Sequence, residues 1–117
     1  MNDNVNHPAH YASRDIGYEC IALARQQTFC TGNVIKYLWR APFKGHETED
    51  LKKALWYARL AAETGEKTVK TGPCGTILSR LLLSTTGDEH AAWTGLRQSD
   101  WNTTIEALER MTGKEEQ

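Results

Sequence analysis

The stretch Thr31-Gly32-Asn33-Val34-Ile35-Lys36-Tyr37-Leu38-Trp39-Arg40-Ala41-Pro42 decides the fold. Its apolar residues Val34, Ile35, Leu38 and Ala41 recur at helical spacing, not in alternation. Its other side carries Asn33, Lys36, Tyr37 and Arg40 at i, i+3, i+4 and i+7, so these four project together. Trp39 stands at the boundary between the two sides. Pro42 ends the helix, because it lacks an amide hydrogen and clashes with the preceding turn.

Reading outward from this helix gives more helices. Upstream, Ile16, Cys20, Ile21, Leu23 and Ala24 form a helical stripe, and Asp15 is a suitable cap, which predicts a first helix over about 15–27. The central helix is expected to start near Thr31. Downstream, Phe43–Glu47 turns the chain back and Thr48 is a good N-cap for a third helix. Glu49 and Asp50 in its first turn suit the helix dipole, Leu51, Leu55, Ala58 and Ala62 form its seam, and Gly65 stops it. Residues 64–75 read as a linker or loop. Thr76–Ser84 is apolar enough for a buried helix or strand, and its leucines favour the helix. Asp88–Thr94 is a short helix, and Ser99 caps a final one through Trp101, Ile105, Leu108 and Met111. The expected fold is all-α, a small bundle of about five helices with an extended N-terminal arm. The expected divisions are an arm over 1–14, a helical core over 15–63, a helical extension over 64–113 and a polar tail over 114–117.

Composition narrows the function. A chain of 117 residues suits one domain with its own core. It is short for a nucleotide enzyme with a separate lid, so a catalytic site would have to be compact, within one chain or built between subunits. The net charge of −1 argues against a duplex-DNA binder. The three cysteines are an odd count without CxxC spacing, which points to free thiols in a reducing cytosol. No apolar run approaches the roughly 18 residues of a membrane helix, and the first residues do not read as a signal peptide. There is no P-loop, no G-x-S-x-G elbow and no H-E-x-x-H zinc helix.

The near-neutral average hides a local excess. Residues 33–59 hold six Lys and Arg against three Asp and Glu, and five of the ten aromatic residues. Cations make charge-assisted bonds to phosphate, aromatic faces stack on bases, and the Asn33 amide can bond a base edge or ribose hydroxyl. These are the parts of a site for a small phosphorylated nucleotide. The same residues could also be a solvated basic face beside core aromatics. In the arm, His7 and His10 could donate to phosphate or work as acid and base, and Tyr11 could stack on a ligand. If Mg²⁺ takes part, Asp50 or Glu19 is the expected ligand.

Several motifs occur in order: His7-Pro8-Ala9-His10-Tyr11, Glu19-Cys20-Ile21, Gly32–Ala41, Lys44-Gly45 and Glu49–Tyr57. Over about residues 7–62 the chain resembles a widespread family of small bacteriophage and prophage proteins. That family shows HPxHY, EC[IV], GNxIKYLWRA and EDLxKAxWYL, and most members are labelled as of unknown function. A coliphage member is a nucleotide kinase without a P-loop. Pro42-Phe43 replaces the family's usual glycine-containing turn. The resemblance implies His7, His10, Tyr11, Asn33, Lys36, Tyr37, Trp39, Arg40, Lys44, Asp50, Lys53 and Trp56 as ligand-binding residues. It implies a site in the cytoplasm of an infected bacterial host.

Three functions follow as expectations. The first is a phage-type protein that binds a small nucleotide and sequesters a signal of host immunity, needing no cofactor or metal. The second is a nucleoside monophosphate kinase, which would need Mg²⁺ and a homo-oligomer to hold two substrates in line. The third is a module that meets a host protein through Trp, Tyr and Arg anchors. The expected partner is a small nucleotide-type ligand, with no duplex nucleic acid and no membrane.

Overall fold

The computed structural model describes residues 14–43, 45 and 47–116. Six helices occupy them: α1 Cys20–Ala24, α2 Phe29–Arg40, α3 Glu47–Thr64, α4 Pro73–Ser84, α5 Gly87–Arg97 and α6 Trp101–Glu116. No strand occurs among the described residues, and the all-α expectation holds. The packed pairs are α1·α2, α2·α3, α3·α6, α6·α5, α5·α4 and α4·α1. They close a ring in which each helix has a neighbour on either side. One apolar core fills it, running from Ile16 through Trp39, Leu51 and Leu78 to Trp93 and Leu108. The expected core and extension therefore bury a single interior between them.

Several boundaries differ from the sequence reading, each for a local reason. The first helix is five residues long, not thirteen. Gly17 sits at φ +85°, which interrupts helical backbone, so Asp15 caps nothing there. Ile16 is still buried, and its carbonyl accepts a bond from Arg80 Nη1 at 2.8 Å. Helix α2 begins at Phe29, two residues before Thr31. Helix α3 begins at Glu47, which puts Thr48 inside the first turn. Its seam uses Ala61, while Ala62 faces solvent. Gly113 does not end the last helix, which continues to Glu116.

Ser99 was the expected cap of α6, but Asp100 does that work. Its carboxylate accepts from the Thr103 amide at 3.3 Å and the Thr103 hydroxyl at 2.7 Å. These bonds hold the Asp100 carboxyl below its ordinary range. Ser99 instead closes α5. It adopts φ +57°, its amide donates to Leu96 O, and the Asp100 amide donates to Gly95 O. That is a Schellman closure with serine where glycine is usual. The serine hydroxyl has its own task, accepting the Thr68 amide at 2.9 Å.

The loop after α3 is fastened along its length. Gly65 at φ +72° makes a second Schellman turn, with Glu66 N bonded to Ala61 O and Gly65 N to Ala62 O. This turn delivers Glu66 to the N-terminus of α2. Its carboxylate accepts from Thr31 N (2.8 Å), Cys30 N (3.2 Å), Thr31 Oγ1 (2.7 Å) and Thr28 Oγ1 (2.5 Å). Its carbonyl accepts the Trp101 indole N–H at 2.9 Å. Farther along, the Gln27 amide group both accepts from Val69 N and donates to Val69 O. Thr68 donates its hydroxyl to Leu96 O at 2.6 Å.

Burial pushes the Glu66 carboxyl upward, but the hydroxyl and amide donors outweigh it and hold the pKa at about 2, against an ordinary 4.5. The depressed value fixes the sign of the linkage. The carboxylate's contribution is complete above about pH 4.5 and is lost as pH falls towards 2. Glu66→Ala is expected to cost about 2 kcal/mol in urea unfolding at pH 7, as a lost charged cap. Glu66→Gln should flatten the decline of stability between pH 4.5 and 2. An unchanged acid profile in Glu66→Gln would remove the carboxylate from this role.

Candidate functional site

Helices α2 and α3 run side by side and present one continuous outer face. Along α2 lie Phe29, Asn33, Lys36, Tyr37 and Arg40, spaced so that they share one side of the helix. Along α3 lie Glu49, Lys53, Trp56 and Tyr57. The centre is a ring pair: Tyr37 stacks on Tyr57 with centroids 6.1 Å apart and planes 12° apart. Three cations gather on Tyr37. Lys36 Nζ is 5.1 Å from its centroid, Lys53 Nζ 5.3 Å and Arg40 Cζ 5.6 Å. Each gains from the ring quadrupole.

The other end of the face is aromatic. Phe29 meets Tyr57 edge-on at 5.9 Å, and Trp56 meets it edge-on at 5.0 Å. Both outer rings are open to solvent, Phe29 at 72% and Trp56 at 61%. Phe29 was absent from the sequence-derived set because α2 was expected to begin after it. Its position four residues before Asn33 is the signal that could have found it.

The expected residues divide into groups. Lys36, Tyr37, Lys53 and Trp56 meet on the face. Asn33 lies on it, with its amide turned to its own helix, donating to Phe29 O at 2.9 Å. Arg40 and Asp50 form a brace beneath it. Arg40 Nε and Nη2 reach the two Asp50 oxygens at 3.0 and 2.7 Å. Asp50 is 1% exposed. This fork joins the end of α2 to the start of α3 and sets the alignment of Tyr37 against Lys53. Trp39 does not lie on the exposed face: it is fully buried and edge-on to Trp93 at 6.4 Å. A residue so buried belongs to the core. His7, His10, Tyr11 and Lys44 lie outside the described residues.

The two carboxylates of the face each stand beside a cation. Glu49 stands 4.0 Å from Lys53. Both Asp50 oxygens are taken by Arg40, and among the described residues no group of three or more His, Cys, Asp or Glu side chains converges. Asp50 is therefore committed to the brace. All three cysteines are free and buried. Burial pushes the Cys20 thiol up to about 12, against the pull of Arg14, Lys36 and Arg40, so it stays protonated and is no nucleophile. Glu66 fills the amides at the start of α2, so that helix end is closed to an external anion.

Residues 5–59 match a family model described as a protein of unknown function, DUF3310. The matched stretch takes in α1, α2 and most of α3, and so every described residue of the face. No curated protein and no solved structure matches the chain. No described helix is long and apolar enough to cross a membrane.

Because Asp50 is buried, separating it from Arg40 leaves a charge without its partner. Arg40→Ala is expected to lower stability by about 3 kcal/mol. Arg40→Lys should restore only part of that loss, since an ammonium cannot make the two-pronged contact. Lys53→Ala should stay within about 0.5 kcal/mol of the parent, as an exposed surface change. Urea unfolding of the three variants checks the order.

Proposed function

We propose that the α2–α3 face binds a small phosphorylated nucleotide, with phosphate at Lys36 and Lys53 and a base against Trp56. The observation that carries this reading is the layout of one face: cations converging on Tyr37, with exposed aromatic rings directly beside them. From Phe29 to Arg40 the helix rises roughly 16 Å, which is the scale of a nucleotide lying lengthwise. Arg40 serves as the brace and the two lysines as the phosphate contacts.

The same face supports sequestration over turnover. Glu49 and Asp50, its carboxylates, are engaged by Lys53 and Arg40. A grip made of ammonium groups and rings holds an anion without activating a nucleophile. We infer a phage-type protein that withholds a nucleotide signal of host immunity inside an infected bacterium. The sequence resemblance to a phage nucleotide kinase favours phosphotransfer as the second reading, which would require an oligomer to bring two substrates together.

The test is a nucleotide panel read by thermal shift, followed by chromatography of the recovered ligand. Binding with unchanged ligand supports sequestration, and a newly phosphorylated product supports the kinase. Lys36→Ala and Lys53→Ala should each weaken binding by about 1–3 kcal/mol, as lost charged partners of phosphate. No shift with any nucleotide overturns both nucleotide readings. That outcome would leave the host-protein module.

A further inference from the structure

The face holds two exposed platforms where a mononucleotide needs one. Phe29 belongs to α2 and Trp56 to α3, and each keeps well over half of its surface open. They lie 5.9 and 5.0 Å from the Tyr57 ring centre, so they are no more than about 11 Å apart. Platforms within that limit are in reach of neighbouring nucleotide units of one strand, each with a base to stack. Isolated exposed apolar residues are ordinary on protein surfaces. Two large rings sharing one buttress beside a cation cluster form a patch of a different kind.

Lys36 and Lys53 both lie close to Tyr37, while Arg40 is bound at two points by Asp50. The face thus offers two base platforms flanking Tyr57, beside one phosphate centre made of two ammonium groups on Tyr37. Along α2, Asn33 lies between the Phe29 platform and Tyr37, one turn from each.

We propose that the ligand of this face is a dinucleotide, two stackable bases joined through phosphate, with one base on Trp56 and the other on Phe29. This rests on the nucleotide reading above and specifies its ligand class. The covalent link matters physically: once the first unit is held, the second binds at high effective concentration.

The experiment is isothermal titration of the full chain with adenosine 5′-monophosphate, the 5′-phosphorylated linear dinucleotide pApA, and a ten-residue oligoadenylate. The expected result is one pApA per chain, bound about tenfold or more tighter than the monophosphate. Phe29→Ala should bring pApA affinity down to that of the monophosphate, whereas Trp56→Ala should weaken both ligands. Both substitutions are at exposed positions, and thermal melts establish that each variant is folded. Four results would overturn the dinucleotide. These are equal affinity for pApA and monophosphate, two monophosphates per chain, an equal loss of both ligands in Phe29→Ala, or tighter binding of the ten-residue strand. They point respectively to a mononucleotide, to two separate substrates, to a single base sandwiched by the rings, and to a single-strand binder. Failure of all three ligands to bind would also overturn the dinucleotide, and the nucleotide panel above then decides whether the nucleotide reading falls with it.

Discussion

Helix α2 is fastened at both ends by charged side chains from outside it, and everything on its surface depends on that. At the N-terminus the Glu66 carboxylate receives two amides and two hydroxyls. At the C-terminus Arg14 donates to Leu38 O and Trp39 O and pairs with Glu89. Negative charge at the start and positive charge at the end both complement the helix dipole. Arg14 is also wedged among the Trp39, Phe43 and Trp93 rings, its guanidinium 5.5–5.8 Å from their centres. The Glu89 carboxylate accepts the Trp93 indole as well. A helix held this way cannot slide or rotate, so its side chains meet α3 in one register.

These fastenings join the segment that matches DUF3310 to the remainder of the chain. Glu66 and Glu89 lie beyond residues 5–59, yet they complete the two ends of a helix inside that stretch. The ring of packed helices has the same consequence, because α3 leans on α6 and α1 on α4. Residues 64–116 therefore supply parts of the scaffold on which the face is built. Arg59 and Glu109 add a surface link between α3 and α6, 2.8 Å apart. Such an exposed pair contributes little by itself.

The sequence made the fold legible wherever the signal was local. Helical spacing revealed α2 and α3, and Pro42 and Gly65 marked their ends. The leucines of 76–84 correctly favoured helix over strand. Interactions distant in sequence stayed hidden. Glu66 read as one charge in a polar linker, since nothing nearby shows that a turn carries it to α2. Asn33, Lys36, Tyr37 and Arg40 do share a side of the helix, as their spacing required. Spacing could not show that Arg40 is drawn down to Asp50, because that pairing depends on how two helices meet. Trp39 lies off the face for the same reason: the α5 helix places Trp93 against it and closes the core around both.

The four tryptophans are unevenly placed. Trp39, Trp93 and Trp101 are buried, while Trp56 stands open on the α2–α3 face. Indole emission shifts to longer wavelength in water, so the red edge of the protein's fluorescence belongs to Trp56. The chain thus carries an intrinsic optical probe on the α2–α3 face, and its buried indoles serve as an internal reference for the state of the core.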